Sequence, residues 1–366
     1  AARLRPSYLT IIIGLAAITV IVLAAAIVGV TKHYGSRQAV AEEALLFPGL
    51  EKKLNRVAEV EIIYAEGKMT LRREGEGWVM SEKGGYPALA DKARKTAIHL
   101  SQFRVLEAKT RRPDLFNRLQ VEDVEAEGAK SRLLRLKDSG GEVLAEVIVG
   151  KSSYVLGGLG HAALYVREPG TEQVWKVKSG LDASTFTLDW LPKKIMDISQ
   201  DRIMRVSTVA PDGARLDVSK AAPAAERFSI EDLPSDAVLA DDAKKKTDDM
   251  VSALSRLDMM DVVKASEIDF SGDDVARAEV RTFDGLVVRA SIVQRGDWAW
   301  GRFEAATEEP SPAAAAGTSG EETAKEAAAI NARVGGWAYQ LPDNKGKHLR
   351  TRLANLTKKK EEDKSS

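Results

Sequence analysis

The chain has 366 residues, 54 of them basic and 54 acidic, so it carries no formal net charge at neutral pH and offers nucleic acid no basic surplus. It has no cysteine, which excludes disulfides and cysteine-bound zinc and fits an oxidising compartment. Aromatic residues make up only 6 %, too few to favour a platform for stacking sugars or bases.

The first element is an uncharged apolar run from Tyr8 to Val30. An α-helix rises 1.5 Å per residue, so about 20 apolar residues cross a bilayer core, and the run predicts one transmembrane helix. A secretory signal core is usually shorter and ends in a small-residue cleavage site. Here Lys32-His33-Tyr34 follows directly, which favours an uncleaved anchor. Arg3 and Arg5 before the run and Lys32 and Arg37 after it nearly balance, so flanking charge decides little. The preferred topology is single-pass in the bacterial inner membrane, with the large domain in the periplasm. Gly14 and Ala17 belong to a set of small residues that either let a partner helix approach closely or simply face lipid.

Residues 1–34 are thus read as cytoplasmic tip and span, and 35–56 as a stalk. The stretch from Ser36 is helix-permissive until Pro48-Gly49 breaks it. Val40, Ala44 and Phe47 on it offer an alternative role in docking a partner.

From residue 57 a pattern is legible twice. Val57–Tyr64, Met69–Arg73 and Gly77–Met80 read as strands, a helix follows from about Asp91 to Ala108, and Arg132–Leu136 and Val143–Val149 form a hairpin turned at Asp138-Ser139-Gly140-Gly141. The second copy starts at Ile203–Val209 and returns through Arg215–Val218 and Arg227–Ile230. Its helix runs from about Asp241 to Val263, and Ala278–Phe283 and Leu286–Val293 make the matching hairpin. Leu254-Ser255-Arg256-Leu257 echoes Leu100-Ser101-Gln102-Phe103. The expectation is an α+β fold: a transmembrane helix followed by two repeated β-β-β-α-β-β domains with antiparallel sheets, at 57–200 with a connector and at 201–303. Within the connector, Ala163–Arg167 and Gln173–Val177 read as a hairpin. Residues 304–322 are rich in Ala, Pro, Gly, Ser and Glu and read as a flexible linker, and 323–366 as a helix, a short ordered patch around Trp337 and a charged tail.

Several of these segments resemble the DUF4340 family of bacterial membrane-anchored proteins. They are Met69-Thr70-Leu71, Gly77-Trp78-Val79, Tyr86-Pro87-Ala88-Leu89-Ala90-Asp91, Leu100 to Val105, Val147-Ile148-Val149-Gly150-Lys151, Ala163-Leu164-Tyr165-Val166 and Val174-Trp175-Lys176-Val177. The resemblance covers most of Val57 to Val177 and, more loosely, the second copy. It implies an accessory subunit of an ABC-type transport system, with an ABC permease and a GldG-like auxiliary subunit as partners and the ATPase as an indirect one. It brings no catalytic residues to carry over.

The residues themselves show no catalytic motif. His33, His99, His161 and His348 are not spaced as ligands, and there is neither a nucleophile elbow nor a P-loop. One suggestive loop contains Lys151, Tyr154, Gly157, Gly158 and His161; its amides can cradle an anion, or it is a plain glycine-rich connection. Asp241-Asp242 and Asp248-Asp249 either attract a cation or alternate with Lys244-Lys245-Lys246 on a solvated helix face. Trp190 and Leu191 read as an exposed docking patch or a buried plug between domains. The expected protein is non-catalytic, takes no cofactor or metal, meets the bilayer through residues 8–30 and acts by protein–protein binding. The alternative is an envelope protein that binds a lipid or glycan on its own.

Overall fold

The computed structural model describes residues 44–154, 162–231, 233–314 and 320–358. The expected span at 8–30 lies outside them, and no helix among the described residues is long and apolar enough to cross a membrane. The fold is mixed α and β, with antiparallel sheets. The described residues divide into two compact units, one of 44–79 and 89–187, the other of 80–88 and 188–358.

The first sheet contains β1 (Val57–Tyr64), β2 (Gly67–Glu74), β3 (Gly77–Met80), the two-residue β4 (Tyr86–Pro87), β5 (Arg104–Thr110), β6 (Arg132–Asp138), β7 (Val143–Tyr154), β8 (Ala162–Arg167) and β9 (Val174–Lys178). In space they run β4-β3-β2-β1-β6-β7-β8-β9-β5. Alternation along the strands sorts side chains to opposite faces. The register aligns Leu71, Val60, Leu136 and Ala145 in one row across four strands, and all four are buried. The neighbouring row, Thr70, Glu61, Arg135 and Glu146, carries polar groups to the other face. Helix α1 (Ala90–Ser101) buries Ala93, Ala97 and Leu100 at helical spacing. The far end of the polar face is covered instead by an apolar cluster of Phe116, Val121, Val124, Leu133, Ile148 and Val174.

The second unit adds β10 (Lys194–Met196), β11 (Ile203–Val209), β12 (Arg215–Ser219), β13 (Ser229–Ile230), β14 (Val238–Leu239), β15 (Leu257–Asp258), β16 (Asp261–Lys264), β17 (Ala276–Thr282), β18 (Leu286–Arg295), β19 (Trp298–Thr307), β20 (Trp337–Gln340) and β21 (Thr357–Lys358). Its main sheet runs β13-β12-β11-β17-β18-β19-β20-β16, while β10 pairs with β15 and β14 with β21. Val218, Val206, Val280, Val288 and Ala305 form its buried cross-strand row. The longer helices of this unit are α2 (Ala243–Val251), α3 (Gly320–Val334) and α4 (Asp343–His348), with one further helical turn at Leu353–Leu356. Residues 80–88 count with it, where Tyr86 meets the Trp337 ring edge-on at 4.9 Å and Lys83 pairs with Asp261 at 2.5 Å.

Four expectations are corrected. The helices end earlier than the apolar stripe suggests: residues 104–110 leave α1 as strand β5, and 257–264 form β15 and β16. Val105-Leu106 and Val262-Val263 favour extended backbone, and sheet edges were waiting for them. The described part of the stalk, 44–56, belongs to the first unit. Leu46 donates its amide to the Phe103 carbonyl at 2.8 Å, Val105 donates to Ala44 at 2.9 Å, and Leu50 is buried in the 3-10 turn Leu50–Arg56. Residues 304–307 of the expected linker complete β19, because Ala305 and Phe303 have buried positions to fill. The second unit then extends past the expected bound at 303, while the patch around Trp337, expected as a strand that closes the second sheet or packs beside it, joins that sheet as β20, paired with both β19 and β16.

Candidate functional site

Of the sequence-predicted site residues, Lys151 and Tyr154 belong to the first unit and Trp190 and Leu191 to the second. Gly14, Ala17, Gly157, Gly158 and His161 lie outside the described residues. Lys151 is exposed on β7, and Tyr154 ends that strand opposite Ala162. Trp190 and Leu191 are 0 % and 1 % exposed, so they are core and not an exposed docking patch. A large apolar pair flanked by Pro192 is stabilised far more by burial than by display.

The acidic pairs of α2 are also consumed locally. Lys244 bonds Asp248 at 2.8 Å, Lys245 bonds Asp249 at 2.6 Å and Lys246 bonds Asp242 at 2.9 Å, all at i,i+4 spacing. Among the described residues no cluster of His, Asp and Glu is arranged to hold a metal ion.

A cleft of about 730 Å³ lies in the second unit. Its wall includes Asp242, Lys245, Lys246 and Asp249 from α2, Lys347 and His348 from the end of α4, and Arg350, Thr351, Arg352 and Asn355 from the turns that follow. The chain holds this wall firmly. A Cβ on Gly346 would lie 2.6 Å from the Ala299 Cβ, so only glycine lets α4 sit this close to β19. Lys345 reaches back to the carbonyls of Ser252 and Ser255 at 2.9 and 2.8 Å. Thr208 donates to the Thr351 carbonyl at 2.7 Å, and Thr351 in turn donates to His348 O at 2.8 Å.

The electrostatics of the wall are uneven. Lys347 pairs with Asp343 and Arg352 with Asp212, each at 2.7 Å. Arg350 has its Nε on the Gly346 carbonyl at 3.0 Å, and burial holds its pKa below the ordinary arginine value. Burial also lowers the His348 pKa; Asp249 opposes that shift, while Lys345 and Lys245 add to it. The His348 Nδ1 is buried without a hydrogen-bond partner. The lowered pKa favours the neutral imidazole at neutral pH.

Sequence reasoning passed over this cleft. A signal was present: Lys345, Lys347, His348, Arg350 and Arg352 crowd into one short basic run. It was masked because their acidic partners, Asp212, Asp249 and Asp343, are scattered along the chain and leave the total charge balanced.

The profile of a family described as "Domain of unknown function (DUF4340)" matches residues 78–279, more than half of the chain. The chain belongs to the DUF4340 family. The match runs from β3 through α1 and the hairpins of the first sheet into β17 of the second. No curated protein and no solved structure matches the chain.

Proposed function

We propose that this DUF4340 protein is a membrane-anchored, periplasm-facing accessory subunit of an ABC-type transporter complex with a GldG-like auxiliary component. It acts through protein–protein binding and performs no chemistry of its own. The observation that carries this reading is the pairing of an uncharged run long enough to span a bilayer, Tyr8 to Val30, with two sheet-built units behind it. It is also what the resemblance read from the sequence implies.

We also read the two sheets as duplicated copies of one unit. In the first sheet β1 to β3 stand beside the meander β6 to β9 with β5 at the far edge, and in the second β11 to β13 stand beside β17 to β20 with β16 at the far edge; β4 and β15 have no counterpart in the other sheet. Two related rigid sheets on one tether give a complex two separate docking surfaces.

The test is purification of the full-length protein from its native membranes in mild detergent, with identification of what accompanies it. Recovery of an ABC permease, its ATPase and a GldG-like subunit is the expected result. Recovery of the chain alone overturns the reading and favours the alternative, an independent envelope lipid- or glycan-binding protein, which draws support from the cleft of the second unit.

A further inference from the structure

The cleft of the second unit contains a cation that its own wall does not neutralise. Lys245 and Lys246 are matched by Asp249 and Asp242 of the same helix. Lys347 and Arg352 are matched by Asp343 and Asp212. The remaining carboxylate of the wall, Asp274, is held by Arg295. Arg350 differs. Among the described residues its one side-chain hydrogen bond is from Nε to a main-chain carbonyl, and no carboxylate pairs with its Nη atoms. Asp343, whose field reaches it, is already engaged by Lys347.

Beside Arg350 in the same wall lies His348, with its Nδ1 buried and unpartnered. The Arg350 guanidinium is half-buried with no carboxylate on its Nη donors, so an anion entering the cleft finds them unengaged. The guanidinium fork matches two oxygens of an oxyanion. The lining holds five cations, Lys245, Lys246, Lys347, Arg350 and Arg352, against three carboxylates, Asp242, Asp249 and Asp274, and that surplus suits a doubly charged group better than a single carboxylate. A volume of about 730 Å³ exceeds what an inorganic ion fills and falls in the range of small-molecule sites.

We propose that this cleft binds a phosphate-bearing anion, with the phosphate on the Arg350 fork beside His348 and the lysines at the rim. The recognised chemistry is a phosphate ester or anhydride, supplied either by a soluble compound or by the headgroup of an anionic phospholipid. The inference goes beyond the accessory-subunit reading and does not depend on it, since every residue invoked lies in the second unit.

The test is calorimetric titration of the full-length protein in mild detergent. One probe is inorganic pyrophosphate, and the other is dihexanoyl phosphatidic acid below its micelle concentration. Wild type is compared with Arg350→Gln, Arg350→Lys and, as a control, Arg94→Gln, which alters an exposed arginine of the first unit. Wild type and Arg94→Gln are expected to bind at least one probe. Arg350→Gln is expected to bind it about ten- to hundredfold more weakly, as for loss of a charge-assisted hydrogen bond, with Arg350→Lys between. Tighter binding of pyrophosphate assigns the ligand to the soluble pool, and tighter binding of the lipid assigns it to the membrane. Absence of binding to either probe, or equal affinity in Arg350→Gln, overturns the proposal. Should Arg350→Gln fail to fold, hydrogen exchange of the wild type with and without saturating pyrophosphate decides: protection at 343–355 supports the site, and its absence there overturns it.

Discussion

The two sheets share a strand order but place their charge differently. In the first, the polar row alternates Glu61, Arg135 and Glu146 across β1, β6 and β7. In the second, Glu279, Arg289 and Glu304 alternate across β17, β18 and β19, one strand further from the meander that begins the unit. Ser207 takes the place beside Glu279 on β11 and bonds Asp217. The first row is also more enclosed. Glu61 is 5 % exposed beneath Arg135 at 3.1 Å and Lys137 at 2.8 Å, whereas Glu279 is half-buried. The first row is thus an enclosed electrostatic lock and the second a more solvated ladder, and the energetic weight of the two should differ accordingly.

A second difference lies between the last strands of each four-strand meander. In the first sheet β8 passes to β9 through a short turn at Glu168 to Gly170. In the second, α3 is inserted between β19 and β20. Arg202 fastens it, with Nη2 at 2.6 Å from Asp284 and 2.7 Å from Glu326, and Asn331 exchanges two hydrogen bonds with Ala305. Bonding to Glu326 and Asp284, stronger than the opposing effect of burial, holds the Arg202 pKa above the ordinary arginine range.

The largest expected effects come from emptying the two cores. Trp190→Ala in the second unit and Phe103→Ala in the first each remove a fully buried aromatic, and each is expected to cost about 3–5 kcal/mol in urea unfolding. A cost near zero for either would mean that its unit is not packed as described.

Next comes Gly150→Ala in β7. The new Cβ would stand 2.3 Å from the Leu119 carbonyl oxygen and 2.6 Å from Val121, a backbone clash expected to cost about 1–3 kcal/mol or more. It should raise hydrogen exchange at 116–124 first, and undisturbed exchange there would argue against that close approach.

The charge comparison is sharpened by Glu61→Gln against Glu279→Gln. The first is expected to cost about 1–3 kcal/mol, and the second less than about 1. Burial tends to raise the Glu61 pKa, but hydrogen bonds from Lys137 and Arg135 outweigh it and hold it below the ordinary glutamate range. Its contribution is therefore complete above about pH 4.3, the unfolded value, and is lost as pH falls through the lower folded value. Wild type should lose stability more steeply than Glu61→Gln below that pH, and parallel acid profiles would refute the enclosed lock.

Arg202→Gln should loosen α3 alone, costing about 1–2 kcal/mol and raising exchange at 320–334, with no counterpart change in the first unit. The smallest effect is expected from Phe186→Ser: this side chain is 76 % exposed, and the change should fall within about 0.5 kcal/mol.

Much of this layout could be read from residues alone, because strand alternation and turn chemistry are local. The meander strands, the Asp138 to Gly141 turn and the Leu100/Phe103 and Leu254/Leu257 pairs were legible, and all four of those side chains are buried. What escaped depended on distant partners. Val105-Leu106 continues a helical stripe acceptably, and only the edge offered by β9 makes it a strand. The run 304–307 looks like linker until β18 pairs with it. The basic cleft needed four separate segments brought together, and no spacing rule connects Asp212 with Arg352.

The account holds that both units stand outside the membrane on the tether at Tyr8 to Val30. The absence of cysteine allows this to be tested with single introduced thiols. Lys95→Cys and Lys244→Cys place one in each unit at exposed positions. A membrane-impermeant maleimide added to intact spheroplasts should label both variants fully. Labelling of either that appears only after lysis would contradict the proposed topology.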